Sequence, residues 1–146
     1  MKKETIMLVT LCLALVSCNT RVTNRQVNKK REGRWTEEYS LDSSHYKSIG
    51  YYKNDNPIKR WRYYLDGKTI KKEKYKIGFC KTKFYHKNGQ LQSKGKTVLD
   101  TTNQYPHWYY SGEWKQYNDK GQLISRRHYL KGELKSEEIT SKTKTI

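Results

Sequence analysis

The chain has 146 residues, 31 lysines and arginines against 14 aspartates and glutamates, and a formal net charge of +17. That length bounds it to one domain, and the charge makes polyanions (anionic lipid heads, phosphate-bearing envelope glycolipids, nucleic acid) the class of partner it attracts. Thirteen tyrosines and four tryptophans stand against few leucines and isoleucines, which excludes a sandwich built on one thick aliphatic core.

Met1-Lys2-Lys3 is a basic start, and Ile6 to Val16 is an apolar run broken by Thr10 and Cys12, too short for a stable bilayer-spanning helix. It ends in Leu15-Val16-Ser17-Cys18, which resembles the lipobox of bacterial lipoproteins. That resemblance implies cleavage before Cys18, diacylation of its thiol and acylation of the new α-amine. Several acyl chains anchor firmly where one binds only marginally. Residues 1–17 are therefore expected to be a signal helix that is removed. About 129 residues of net charge about +16 would remain at the bacterial cell envelope, on the outer membrane in a Gram-negative cell. Export argues against nucleic acid as a physiological partner. Cys12 leaves with the signal and Cys18 takes lipid, so Cys80 has no partner for an internal disulfide and reads as a small buried apolar residue.

Residues 18–32 are expected to form a flexible basic tether, because Val22 and Val27 are the only sizeable apolar side chains before Trp35. Lys29-Lys30-Arg31 would lie near an anionic bilayer surface. From residue 33 to 140 the texture changes to short aromatic and β-branched runs with turn signals every eight to twelve residues. Strands are predicted over 33–40, 45–53, 58–65, 68–76, 80–86, 90–98, 107–117, 122–130 and 133–139. The turns between them include Asn54-Asp55-Asn56-Pro57, Asp66-Gly67, Asn88-Gly89 and Lys120-Gly121. Asn-Gly and Asp-Gly suit the type I′ hairpin, whose central residues need positive φ. Thr101 to Pro106 is a longer polar connection, and residues 141–146 read as a disordered tail. Short connections force antiparallel neighbours, so the predicted fold is all-β: an elongated meander of stacked β-hairpins. Alternation puts Trp61, Tyr63 and Leu65 on one face and Arg60, Arg62 and Tyr64 on the other, so both faces carry aromatic rings and neither reads as a clean buried surface.

A pattern recurs along this domain. Trp61, Tyr64, Gly67, Ile70, Tyr75 and Gly78 are matched by Trp114, Tyr117, Gly121, Leu123, Tyr129 and Gly132. Between them a worn copy keeps Tyr85, Gly89 and Leu91 but has Thr82 and Thr97 at the Trp and Tyr positions; Gly33, Trp35 and Tyr39 make a degenerate first copy. The unit resembles the MORN repeat and its bacterial variant. The resemblance implies an elongated single-layered sheet used as a scaffold, a protein-interaction surface or a lipid-associated module. Some bacterial members are catalogued as antitoxin components, which for an exported chain would mean an immunity-type neutralising partner.

No phosphate-cradling Gly loop, zinc-helix motif or nucleophile elbow appears, and the chain reads as a non-enzyme without cofactor. His86, His107 and His128 are evenly spaced but occupy different positions of the repeat, so they read as strand histidines and not as metal ligands. The candidate ligand surface is aromatic and basic: Arg60, Trp61, Arg62 and Tyr63, with His107, Trp108 and Tyr109. Alternating cations and rings hold phosphates by charge and sugars by stacking. The function expected is a non-catalytic, lipid-anchored envelope protein whose sheet serves as a protein-interaction or scaffold surface. The alternatives are a binder of anionic glycan or glycolipid and an antitoxin or immunity-type partner.

Overall fold

Turn residues that accept positive φ divide the chain into strands short enough to pair with their sequence neighbours, and the whole fold follows from that. The structure, a computed structural model, describes residues 23–102 and 105–140. The expected signal segment, Cys18 (expected to be acylated) and residues 141–146 (the expected tail) lie outside the described residues. Ten strands run in order: β1 (Arg25–Val27), β2 (Lys30–Leu41), β3 (Ser44–Lys53), β4 (Asn56–Leu65), β5 (Lys68–Lys76), β6 (Phe79–Tyr85), β7 (Leu91–Asp100), β8 (His107–Tyr117), β9 (Leu123–Leu130) and β10 (Glu133–Ile139). They form one sheet in which each strand pairs antiparallel with the next, so spatial order equals sequence order. The all-β antiparallel meander is as expected.

The expected tether is corrected over its last residues. β1 and the start of β2 form a hairpin through Asn28-Lys29, both with positive φ. Arg31 holds it to the sheet: its guanidinium lies 3.8 Å above the Tyr52 ring centroid and 3.1 Å from the Asp55 carboxylate. The hairpin needs little apolar burial because ring and carboxylate anchor it instead.

The turns differ with composition. Asp42-Ser43, Asn54-Asp55, Asp66-Gly67 and Lys131-Gly132 carry positive φ at both central positions, as the type I′ hairpin requires, whereas Ile77-Gly78 has it at Gly78 alone. Asn88-Gly89 differs from the expected type I′ form, since only Gly89 has positive φ. There Gly89 N–H donates to the His86 carbonyl and His86 N–H to the Gln90 carbonyl, and Asn118 to Gln122 repeat the arrangement. Both are type I turns closed by a Gly bulge, the usual three-residue solution.

Register makes the sheet one-sided. Cα partners face the same way, and the buried residues Trp35, Ser48, Trp61, Cys80, Thr82, Ser93, Trp114 and Ser125 all fall on one face. The expectation that neither face is buried is therefore wrong, and the reason is a packing device that needs no second layer. Trp61 lies flat over Gly50 of β3 and Trp114 over Gly95 of β7; a Cβ on either glycine would fall inside the indole. Each indole N–H donates to the carbonyl just after its glycine, Tyr51 at 3.2 Å and Lys96 at 3.1 Å. Each Trp also sits at the end of a bulge whose first residue has positive φ, Lys59 in one copy and Gly112 in the other. Neighbouring rings close over the indoles: Tyr52 and Tyr63 beside Trp61, Tyr110 and Phe84 beside Trp114. A large ring laid on bare backbone buries its area within a single layer.

Candidate functional site

The row of residues at the middle of the sheet reads Trp61, Glu73, Thr82 and Gly95 across β4 to β7. On both sides of each is a cation: Arg60 and Arg62, Lys72 and Lys74, Lys81 and Lys83, Lys94 and Lys96. Because side chains alternate along a strand, all eight point away from the ring-covered face. The pairing register then sets them directly opposite one another. Arg60, Lys74, Lys81 and Lys96 form one row across the sheet. Arg62, Lys72, Lys83 and Lys94 form the second, which Lys115 of β8 extends.

These rows place seven like-charged pairs in direct cross-strand register, an arrangement that destabilises a sheet. Among the described residues, the ion pairs that touch this face near the rows lie at its β8 end, where Glu113 takes Lys115 at 3.3 Å and Arg126 at 3.1 Å. Those two cations hold the Glu113 carboxyl below its ordinary value. Three more of the row cations stand over rings: Lys72 over Tyr85 at 4.8 Å, Lys94 over Tyr117 at 5.6 Å and Lys96 over Phe79 at 6.0 Å. Between the rows is an open trough of about 720 Å³ that crosses all five strands from β4 to β8.

The opposite face holds a different cluster at the same place. Glu73 stands where the other copies have Gly50 and Gly95, and Thr82 where they have Trp61 and Trp114. Its carboxylate accepts the Tyr63 hydroxyl at 2.7 Å and the Tyr75 hydroxyl at 2.9 Å, and pairs with Lys71 at 2.6 Å, with only 9% of its side chain exposed. Burial, and then the Glu73 charge, push both phenols far above the usual tyrosine range. The thiol of Cys80 is also raised, first by burial and then by Glu73. Among the described residues no buried side-chain donor or acceptor in this cluster is left unpaired.

The candidate ligand surface read from the sequence divides between the two faces. Arg60 and Arg62 belong to the basic rows, and His107 and Tyr109 are on that face but beyond the trough, in register with Asp100 and Val98. Trp61, Tyr63 and Trp108 are on the other face: Trp61 is 2% exposed, Tyr63 serves Glu73, and Trp108 packs edge-on against Tyr75. These seven residues therefore do not form one continuous surface. Of the repeat residues, Gly67, Gly78, Gly89, Gly121 and Gly132 take the positive φ of their turns. Tyr75 joins the Glu73 cluster, while Tyr85 and Tyr117 stand under lysines beside the trough. Tyr129 packs edge-on against Tyr110, and Tyr64, Leu91 and Leu123 each sit at a register shift next to a turn. Missing from the sequence reading were the lysines of β5, β6 and β7. The signal for them is a cation two residues from a cation in four successive strands.

No family model and no curated protein matches the chain. Among solved structures it is similar to the crystal structure of GtfA/B complex, at 10% identity and a TM-score of 0.26, over 71% of this chain and 19% of that one.

Proposed function

We propose that this chain is a non-catalytic binding protein that holds an anionic ligand of the bacterial envelope on the basic face of its sheet. The observation that carries this reading is the seven like-charged pairs in register. A fold that sets cations against one another across five neighbouring strands forgoes stability that alternating charge would supply, and an anion bound between the rows restores it. The absence of catalysis is supported by the state of the reactive groups: Glu73 is saturated by three donors and the Cys80 thiol is held protonated by its surroundings.

Acylation of Cys18 is part of the same proposal. From Cys18 to Arg25, where β1 begins, the chain reaches at most about 25 Å. An acylated Cys18 would thus hold the sheet close to the bilayer surface and its anionic components. Labelled palmitate entering the parent chain but not Cys18→Ala is the result expected, and equal labelling of both would remove the anchor.

Binding itself is tested by elution of the full chain from immobilised heparin. The Lys72→Ala/Lys83→Ala variant should elute at clearly lower salt than the parent, whereas Lys29→Ala/Lys120→Ala, with the same loss of charge elsewhere, should elute close to it. Equal losses in the two variants would mean attraction by net charge alone and would overturn a basic-face site.

A second reading, a docking surface for a partner protein, is favoured by the exposed apolar end of β2. Tyr39 and Leu41 are 60% and 58% exposed, and Tyr39 stacks on Tyr46 at 4.9 Å. A scaffold or an immunity-type neutraliser would use such a patch. A stoichiometric protein captured by the full chain at moderate salt, and lost in Tyr39→Ser, is the outcome it requires.

A further inference from the structure

Resting on the anion-binding reading, we infer that the ligand is a single linear polyanion, a phosphodiester-type chain with one charge per short repeat, lying across the strands from β4 to β8 between the two cation rows. Three features distinguish this from a bilayer surface or a lone headgroup.

The first is shape. The basic face is a trough of about 720 Å³ with cations along both rims. A planar bilayer meets rims and leaves a trough empty, whereas a strand fills it and meets both rows at once. Neighbouring residues of one face are about 6.6–6.8 Å apart along a strand, so each charge of the ligand is within reach of a cation on either side.

The second is direction and finite length. The rows run across the strands with one cation per strand, at the sheet spacing of about 4.8 Å. They stop abruptly. Beyond Arg62 the second row meets Ile49 of β3; at the other end it passes from Lys115 to Arg126 of β9, where Glu113 pairs with both cations, and Glu138 of β10 stands opposite Arg126. The trough from β4 to β8 spans four spacings, about 19 Å, several times the width of one phosphate.

The third is the chemistry of the floor. The trough carries the ammonium and guanidinium groups of the rows on flexible stems, with the Glu113 carboxylate at its β8 end, and the rings beside it, Tyr85, Tyr117 and Phe79, are already under lysines at its margins. Ring stacking therefore contributes nothing at its centre, and affinity comes from the number of charges engaged together. Each single contact is weak, and linking charges in one chain makes each later contact intramolecular.

Inorganic triphosphate, linear polyphosphates of increasing length, and vesicles of phosphatidylglycerol diluted in phosphatidylcholine are the probes, with the full chain throughout. Affinity per phosphate should climb with polymer length until the ligand spans the trough and then level off. Its dependence on salt should steepen over the same range, by about 0.7 in log–log slope for each phosphate engaged. Lys83→Glu, at the centre of the second row, should weaken the long polymer by roughly tenfold or more, and Lys120→Glu should leave it within about twofold. Affinity per phosphate that does not depend on length, with vesicles bound as tightly as long polymer, would overturn the linear ligand while leaving an anion-binding face in place. Absence of binding to every probe at low salt would overturn both. Equal losses in Lys83→Glu and Lys120→Glu would overturn the trough as the site.

Discussion

At the scale of single residues, the glycines that matter most are not the ones in the turns. Gly50 and Gly95 have ordinary backbone conformations and are required for a different reason: each is the floor on which an indole lies. Gly95→Ala forces a methyl group into the Trp114 ring, where backbone lies on one side and Tyr110 is stacked at 4.1 Å on the other. The ring has nowhere to retreat, so a destabilisation of about 3 kcal/mol is expected, at the upper end for overpacking. Chemical denaturation checks it. The double variant Gly95→Ala/Trp114→Leu should cost clearly less than the two single costs added together, because the clash disappears with the ring. Additive costs would mean that the glycine matters through its backbone alone. Neither glycine was legible as part of the repeat, because their role depends on a residue in the next strand, eleven positions on from Gly50 and nineteen from Gly95. Spacing within a motif does not reveal a contact between strands whose connection changes length.

At the scale of elements, the three copies that follow the degenerate one, built on Trp61, Thr82 and Trp114, show that the repeat is a set of linked choices. In the first and third, Trp, the underlying glycine and a bulge occur together; in the middle one Thr82, Glu73 and an unbroken β5–β6 register replace all three. What reads in the sequence as wear is a coordinated exchange of an indole on backbone for a carboxylate held by two phenols and an ammonium. The two bulges are not equally comfortable. Gly112 adopts φ +68 without cost, but Lys59 holds φ +59 with a side chain attached. Lys59→Gly should therefore stabilise the domain by about 0.5–1 kcal/mol, less strain being offset in part by a more flexible unfolded chain. A raised midpoint in thermal or urea unfolding is the expected reading, and a lowered one would mean that the Lys59 ammonium 4.9 Å above the Tyr51 ring outweighs the strain. Strand positions were legible throughout the domain because Gly, Asn and Asp announce most turns. The β1–β2 hairpin was not, since Asn28-Lys29 carries no Gly and its anchors Tyr52 and Asp55 lie in the next hairpin.

At the scale of the whole molecule, net charge was visible in the composition but its organisation was not. Thirty-one cations scattered along a chain look diffuse; only the register brings Arg60 to Lys74 to Lys81 to Lys96. The same register that makes a binding face sets its cost. Lys83 stands between Lys72 and Lys94, so Lys83→Glu turns two repulsive cross-strand pairs into attractive ones. After screening at an exposed surface, the expected gain is about 0.5–1 kcal/mol, a rise of about 2–4 °C in Tm for a domain of this size. Raising the salt concentration should stabilise the parent chain more than the variant, because less repulsion is left to screen. Binding should move the other way, since the substitution removes a central ligand-facing charge. A variant that gains stability while losing polyanion affinity is the pattern left by a surface kept for a ligand at the expense of the fold. If Lys83→Glu instead lowers Tm, the lysines stabilise the sheet through their stems packed over it, and their alignment would no longer require a ligand to explain it.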